Sequence, residues 1–306
     1  MDLKQLRTFI MVAESGSLSR ASDRLRLAQP ALSRQIRMLE ADVGFDLFVR
    51  SGRGMQLTDQ GEALLSRVSG LMQQLDSAVA DARSLSTEPS GRVVLGCIPS
   101  VSYVAAGRIA VRVAREFPKV SLRILEGYAG HLIDWLHRGE ADIALLYGPA
   151  ADLHLRVTDI MFEELFLVGP SSGTVLDDPV PTAALGQLNL VLPSRPHGLR
   201  MVVEAAAAKA GVSLQVRYEA DSFLVLKELV AAGLGCTVLP LSAFFKEQDQ
   251  RLYKINRIVK PTISRQIVVA LPASRTDTRA TAAIRSLVLD EIGQMAESGE
   301  WQTMPS

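Results

Sequence analysis

Net charge is missing from this chain, because 33 Lys and Arg balance 33 Asp and Glu. A uniformly basic nucleic-acid coat is therefore excluded, and any affinity for a polyanion must come from a local patch. Cysteine is scarce. The two present, Cys97 and Cys236, lie far apart and show no CxxC or Cys/His spacing, which suits small buried residues in a reducing compartment, with a redox switch as the minor alternative. The four histidines, His131, His137, His154 and His197, show no metal-ligand pairing. The metalloprotease HExxH, the P-loop and the dinucleotide GxGxxG are all absent. No enzyme is expected, and neither catalytic residues, a metal nor a cofactor is assigned. No run of about 18 apolar residues occurs, and the start, MDLKQLRTFI, lacks the basic segment, apolar run and cleavage site of a secretory signal. A cytoplasmic protein with no membrane partner is the expectation.

What is present falls into three parts. A length of 306 residues suits about two domains with real cores. Between Arg20 and Arg37 stand five arginines (Arg20, Arg24, Arg26, Arg34, Arg37) against the single acid Asp23. In the same region Leu3, Leu6, Phe9, Ile10 and Ala13 fall on one helical face that Gly16 ends, and Ser17 is placed to cap a second helix carrying Leu18, Ala21 and Leu25 inward. A third helix follows after only Arg26 to Gln29: Pro30 sits in its first turn, and Leu32, Ile36, Leu39 and Val43 repeat at helical spacing. Two helices around so tight a turn predict a helix-turn-helix.

With the apolar residues turned inward, the third helix presents Gln29, Pro30, Ser33, Arg34 and Arg37. Gln pairs with adenine and Arg with guanine through bidentate hydrogen bonds, while Ser serves base or phosphate. The bland alternative is a solvated helix face; the flanking helix and turn favour DNA reading. The next segment, FDLFVRSGRGMQLT, alternates around Ser51-Gly52-Arg53-Gly54 as a hairpin does, predicting a wing whose Arg50 and Arg53 meet phosphates or the minor groove. Thr58 then caps a long helix reaching about Ser86. Its Leu64, Val68, Leu71, Leu75, Ala78, Ala82 and Leu85 are spaced as three heptads. Such a stripe is usually core, but one standing between a small complete domain and the Pro-Ser-Gly break at Pro89 to Gly91 reads better as a seam between protomers, with Leu64, Val68, Leu71 and Leu75 at its centre.

Beyond Gly91, strand-length apolar runs at Arg92 to Ile98, Val120 to Glu126, Ala141 to Tyr147, Glu164 to Val168, Leu188 to Leu192, Leu214 to Tyr218, Cys236 to Leu239 and Arg265 to Leu271 alternate with helical segments. This predicts an open α/β architecture. Its length favours two lobes, with ligand in the cleft between them, outside the carboxyl ends of strands. The domains expected are 1–58, a winged helix-turn-helix, 59–88, a dimerising linker helix, and 91–306, an effector-binding domain with lobe 1 about 91–162 and 267–306 and lobe 2 about 163–266.

The N-terminal run carries a resemblance. Leu6 and Phe9, Gly16-Ser17-Leu18, Ala21, Leu25, Gln29-Pro30-Ala31-Leu32-Ser33, Ile36, Leu39-Glu40, Gly44, Leu47-Phe48, Arg50, Leu57-Thr58 and Gly61 resemble the LysR-type transcriptional regulators. Farther on, Gly233-Leu234-Gly235-Cys236-Thr237-Val238-Leu239-Pro240 is similar to the glycine-turn strand of that family's effector domain, with Cys236 in place of a valine-like residue. Glu116-Phe117-Pro118 and Glu164 to Gly169 are more weakly similar to the nitrogen-assimilation branch. The resemblance implies a periplasmic-binding-protein-like effector domain, double-stranded promoter DNA as partner, a small-molecule effector, a homo-oligomer built as a dimer of dimers, and contact with RNA polymerase, while serine hydroxyls beside free N–H groups at facing helix starts point to an anionic effector. By motif position the effector contacts it implies are Ser100, Val101 and Ser102, opposed by His197, Ser222 and Phe223, with Tyr147 and Gly148 at the floor. A periplasmic solute-binding protein would explain two lobes alone, but it leaves the DNA-binding unit without a purpose.

Overall fold

In the computed structural model the described residues are 1–51, 54–83, 88–148, 154–172, 178–245 and 252–301. They form two compact units, Met1–Thr87 with His137–Glu140, and Glu88–Leu136 with Ala141–Ser306.

The first unit contains α1 (Leu3–Ser15), α2 (Leu18–Leu25), α3 (Gln29–Val43), a hairpin of β1 (Phe48–Ser51) and β2 (Gly54–Leu57), and α4 (Asp59–Arg83). Local chemistry sets each boundary. Asp2 and Gln5 form a reciprocal capping box at the start of α1, and Gly16 ends the helix in the left-handed region at φ 61°. The joint between α2 and α3 is only Arg26 to Ala28, because Gln29 is already helical, and Arg26 turns the chain at φ 52°. Ser17 occupies the cap position of α2 but makes no side-chain cap bond. Glu40 receives the backbone N–H groups of Leu47 and Phe48 at 2.9 and 3.4 Å and so fixes the chain entering the hairpin. Thr58 caps α4 by accepting the N–H of Gly61 at 2.9 Å. Glycine is required at 61, since a Cβ there would stand 2.2 Å from the Leu47 carbonyl oxygen. Phe9, Val12, Ala21, Leu32, Ile36, Leu39 and Leu47 fill the core, where the Phe9 and Phe48 rings meet edge to face at 5.5 Å.

The second unit is α/β and has two hydrophobic cores. In the first lobe β3 (Gly91–Cys97) lies parallel between β4 (Val120–Glu126) and β5 (Ile143–Gly148), and β12 (Ser264–Pro272) runs antiparallel to β5. Helices α5 (Pro99–Glu116), α6 (Ala129–Arg138) and α9 (Arg279–Glu297) belong to it. Buried Glu291 ties α9 to α5 by accepting from Arg108 and Arg112 at 2.6 and 3.0 Å. The second lobe holds the rest: β7 (Val180–Pro181), the parallel pair β8 (Asn189–Leu192) and β9 (Gln215–Glu219), β10 (Thr237–Pro240), β11 (Tyr253–Val259), α7 (Gly198–Lys209) and α8 (Phe223–Ala231).

The chain crosses between the lobes twice, through β6 (Leu155–Pro170) and again just ahead of β12. β6 pairs with β12 as far as Glu164 and with β10 and β11 from Leu165 onward. The apolar pattern predicts only its end, Glu164 to Val168, because the first half, Leu155 to Phe162, is a mostly exposed stretch interrupted by Arg156, Thr158 and Asp159. β11 is also unanticipated. Its sequence, YKINRIV, breaks period-two apolar alternation, because Asn256 and Ile258 are the buried positions while Arg257 between them is exposed, and Lys254, Asn256 and Arg257 break up the apolar run.

Candidate functional site

On α3, Leu32, Ile36 and Leu39 are buried while Gln29, Pro30, Arg34 and Arg37 are exposed and Ser33 is half-buried. Positions 30, 33, 34 and 37 recur three and four residues apart, so they share one open face beside the helix start. Arg37 Nε turns back to the Ser33 carbonyl at 3.4 Å. Arg20 and Arg24 on α2, and Arg26 after it, are exposed as well. In the hairpin Arg50 pairs with Met55, and the Met55 N–H donates to the Gly16 carbonyl at 3.1 Å, which anchors the wing to the end of α1. A Cβ on Gly54, at φ 118°, would come within 2.5 Å of the same carbonyl oxygen. Arg53 lies outside the described residues.

The α4 seam departs from expectation at its first turns. Leu64 and Val68, together with Leu65, pack against the unit's own core, which also buries Met72. Their heptad spacing is real, yet the three-helix core needs a cover, and α4 supplies it. Leu71, Leu75 and Val79, farther along, are 60, 37 and 40 % exposed. The side chains of Ala78 and Ala82, and the whole of Leu85, lie outside the described residues.

Between the lobes of the second unit lies a cavity of about 40 Å3. Four helices begin at its wall: α5 through Pro99 and Ser100, α6 through Ala129, α7 through His197 and Gly198, and α8 through Phe223. Each start brings backbone N–H groups and the positive end of a helix dipole. Ser100 Oγ and the Tyr147 hydroxyl are hydrogen-bonded at 2.8 Å. Burial pushes the Tyr147 phenol up, with Arg265 opposing, so it stays protonated at neutral pH. His197 is held below its usual range by burial, against the pull of Asp221. Its Nδ1 accepts the Leu199 N–H at 3.1 Å, so the neutral ring carries its proton on Nε2, and Tyr128 packs edge to face on it at 4.8 Å. Asp221, at the mouth, accepts from the Ser194 N–H and hydroxyl at 2.9 and 2.6 Å, bonds that hold its carboxyl below the ordinary range.

Of the cleft residues the resemblance implies, Ser100, Tyr147, His197 and Phe223 line this cavity. Four do not. Val101 is buried in the first lobe's core. Ser102, two positions beyond Ser100, points to another side of α5 and bonds the Pro99 carbonyl at 3.0 Å and Glu126. Gly148 lies against Val268 and Gln266, and Ser222 caps α8 by position without a side-chain cap bond.

The pair missed by motif position is Arg265 and Glu163, both buried and directly opposite on β12 and β6. Arg265 Nε donates to Glu163 Oε2 at 2.7 Å, its Nη2 reaches Ser100 Oγ at 3.1 Å, and its Nη1 meets the Tyr147 hydroxyl. Glu163 Oε1 accepts from Ser242 Oγ at 2.5 Å and Trp301 Nε1 at 2.8 Å. A charge entering each of two apolar strand runs was the sequence signal, since an ion in such a position must find a partner.

The pentapeptide Gly169-Pro170-Ser171-Ser172-Gly173 spells GxSxG, a pattern that demands a serine on a strand-to-helix elbow. Here Ser171 and Ser172 are exposed turn residues past the end of β6, and the Ser171 N–H donates to the Leu252 carbonyl at 3.1 Å. Among the described residues no His, Cys, Asp and Glu group is placed to hold a metal ion, and no helix is long and apolar enough to cross a membrane.

Comparison with known proteins agrees with both halves. Residues 3–62 match the model of the bacterial regulatory helix-turn-helix protein, lysR family, and residues 86–293 match that of the LysR substrate binding domain. The HTH-type transcriptional regulator BbuR of Bordetella bronchiseptica is 30% identical over 100% of this chain and 94% of its own length. The nitrogen assimilation regulatory protein nac of Escherichia coli is 28% identical over 99% of each. In fold, a full-length OxyR of Pseudomonas aeruginosa superposes with a TM-score of 0.75 at 21% identity, covering 96% of this chain and 98% of that one. Full-length CbnR complexed with its target DNA gives 0.71 at 19%, covering 97% and 100%. These relatives are regulators and not enzymes, and the chain belongs to the LysR family of DNA-binding transcriptional regulators.

Proposed function

We propose that this chain reads promoter DNA with the exposed face of α3 and that a small anionic molecule in the interlobe cavity modulates the binding. The observation that carries the first part is the placement of Gln29, Pro30, Ser33, Arg34 and Arg37 on one open face of a helix whose opposite face is core. That face offers bidentate base readers beside a helix start, and Arg50 and Arg53 of the wing supply phosphate contacts. The solved complex of CbnR with its target DNA supports a similar docking. Arg34→Ala is expected to lose about 1 to 3 kcal/mol against the cognate site upstream of the native locus and to relax base preference. Equal loss on cognate and random DNA in a gel-shift titration removes Arg34 from the base edge.

The anionic character of the effector rests on four helix starts converging with Arg265 and two hydroxyls, a donor set able to replace water around a carboxylate. Binding there changes transcription by favouring one arrangement of lobes or protomers over another, a coupling typically of about 1 to 3 kcal/mol. Exposed Leu71, Leu75 and Val79 support a protomer seam along the outer half of α4, while a dimer of dimers, a cytoplasmic location and contact with RNA polymerase are proposed from the family alone. The proposed domain plan keeps 1–58 for DNA binding and 91–306 for the effector, with 59–88 as a linker helix whose first turns close the winged unit's core and whose outer half pairs.

A further inference from the structure

The guanidinium of Arg265 has two edges facing different surroundings. One edge, Nε and Nη2, is taken by Glu163 Oε2 at 2.7 and 2.5 Å. The other directs Nη1 to the Tyr147 hydroxyl and Nη2 to Ser100 Oγ, and these three residues line the cavity whereas Glu163 does not. A molecule in the cavity therefore meets a cation framed by two hydroxyls, with a carboxylate directly behind it. Glu163 is firmly placed there. Its Oε1 is held by Ser242 from the second lobe and by Trp301, which follows α9 of the first.

We propose that Glu163 sets the affinity and charge preference of the cavity, as the resident anion with which an effector carboxylate must share Arg265. This rests on the reading of the cavity as the effector site. Two carboxylates on one buried guanidinium repel each other at short range, and a site of low dielectric screens that repulsion weakly. The chain thereby keeps its own affinity for anions low, so the cavity fills and empties with metabolite concentration. Ser242 and Trp301 are positioning residues: by bonding Oε1 they satisfy part of the Glu163 charge without Arg265 and leave the cation partly available to the ligand. Glu163 thus acts on specificity without touching the effector.

The test uses the full chain and calorimetric titration with acetate and benzoate, each paired with its neutral isostere, acetamide or benzamide. Glu163→Gln is expected to tighten both carboxylates at least roughly tenfold and leave the amides unchanged. Trp301→Phe is expected to do the reverse, weakening carboxylates several-fold as Glu163 leans more on Arg265, and it keeps the idea testable if Glu163→Gln fails to fold. The proposal is overturned if folded Glu163→Gln gains nothing for carboxylates, if amides gain equally, if Trp301→Phe leaves carboxylate binding unchanged, or if neither carboxylate binds either chain. Should the tightening survive addition of Tyr147→Phe, the carboxylate sits elsewhere and the cavity reading falls with the proposal. Intact promoter binding beside absent carboxylate effects overturns the present inference alone.

Discussion

The imidazole of His197 is a useful place to follow one side chain from burial to measurable behaviour. Burial holds its folded-state pKa below the unfolded value of about 6.5. The unfolded chain therefore binds the extra proton first, so stability is unaffected above about pH 6.5 and falls as pH drops from there through the folded pKa. His197→Gln should flatten that loss in urea melts between pH 7.5 and 5, and an unchanged slope would assign the acid sensitivity to other groups. Cys97 gives a second residue-scale expectation. Its thiol is fully buried and pushed up to about 12 by desolvation, with Glu126 adding to the effect. Thiolate is the reactive form, so the native protein should leave Cys97 unlabelled by iodoacetamide at pH 7.5, while unfolding exposes it. Rapid native labelling at that position would reopen a redox role.

Elements were legible in the sequence wherever a buried face repeats without interruption. α1, α3 and the parallel strands announce themselves this way because Phe9, Ile36 and Leu95 each sit in an unbroken periodic pattern. β11 and the first half of β6 stayed hidden because polar and charged residues interrupt their apolar runs, and the cleft was readable only by motif position, which cannot distinguish Ser100 from Ser102 on a turning helix. α4 shows the same limit, for spacing alone does not tell a stripe facing its own core from one facing a partner. Its outer half, where Leu71 is 60 % exposed, makes the distinction testable. Leu71→Asp should leave the winged unit folded by circular dichroism yet dissociate the oligomer in light scattering, since a carboxylate would be trapped in the seam. The turn before β10 is equally decisive. Gly235 stands at φ 155°, and a Cβ would approach the Asn189 carbonyl oxygen to 2.5 Å, so Gly235→Ala should cost about 1 to 3 kcal/mol in chemical denaturation. A variant as stable as the parent would show that the turn relaxes freely.

At the scale of the molecule, the chain divides its labour between units with separate cores. The winged unit is built around Phe9 and Leu39, and the α/β unit has one core in each lobe. A fragment starting at Glu88 should therefore melt cooperatively by itself and retain any carboxylate binding, and a molten, non-cooperative transition would show that its two cores depend on the winged unit. What joins its lobes also decides how they move. β6 is 16 residues long, roughly 50 Å at 3.3 Å per residue, and β12 is laddered to it at the crossing, where Glu163 faces Arg265. Two hydrogen-bonded strands make a ribbon that twists and bends readily but slides only by breaking its rungs. A ribbon at the crossing therefore resists sliding of the lobes more than it resists their tilting. If a ligand in the cavity tilts the lobes about that ribbon, their outer surfaces move farther than the cavity wall does, in proportion to their distance from it. Such leverage would report occupancy of the cavity without a long relay of side chains.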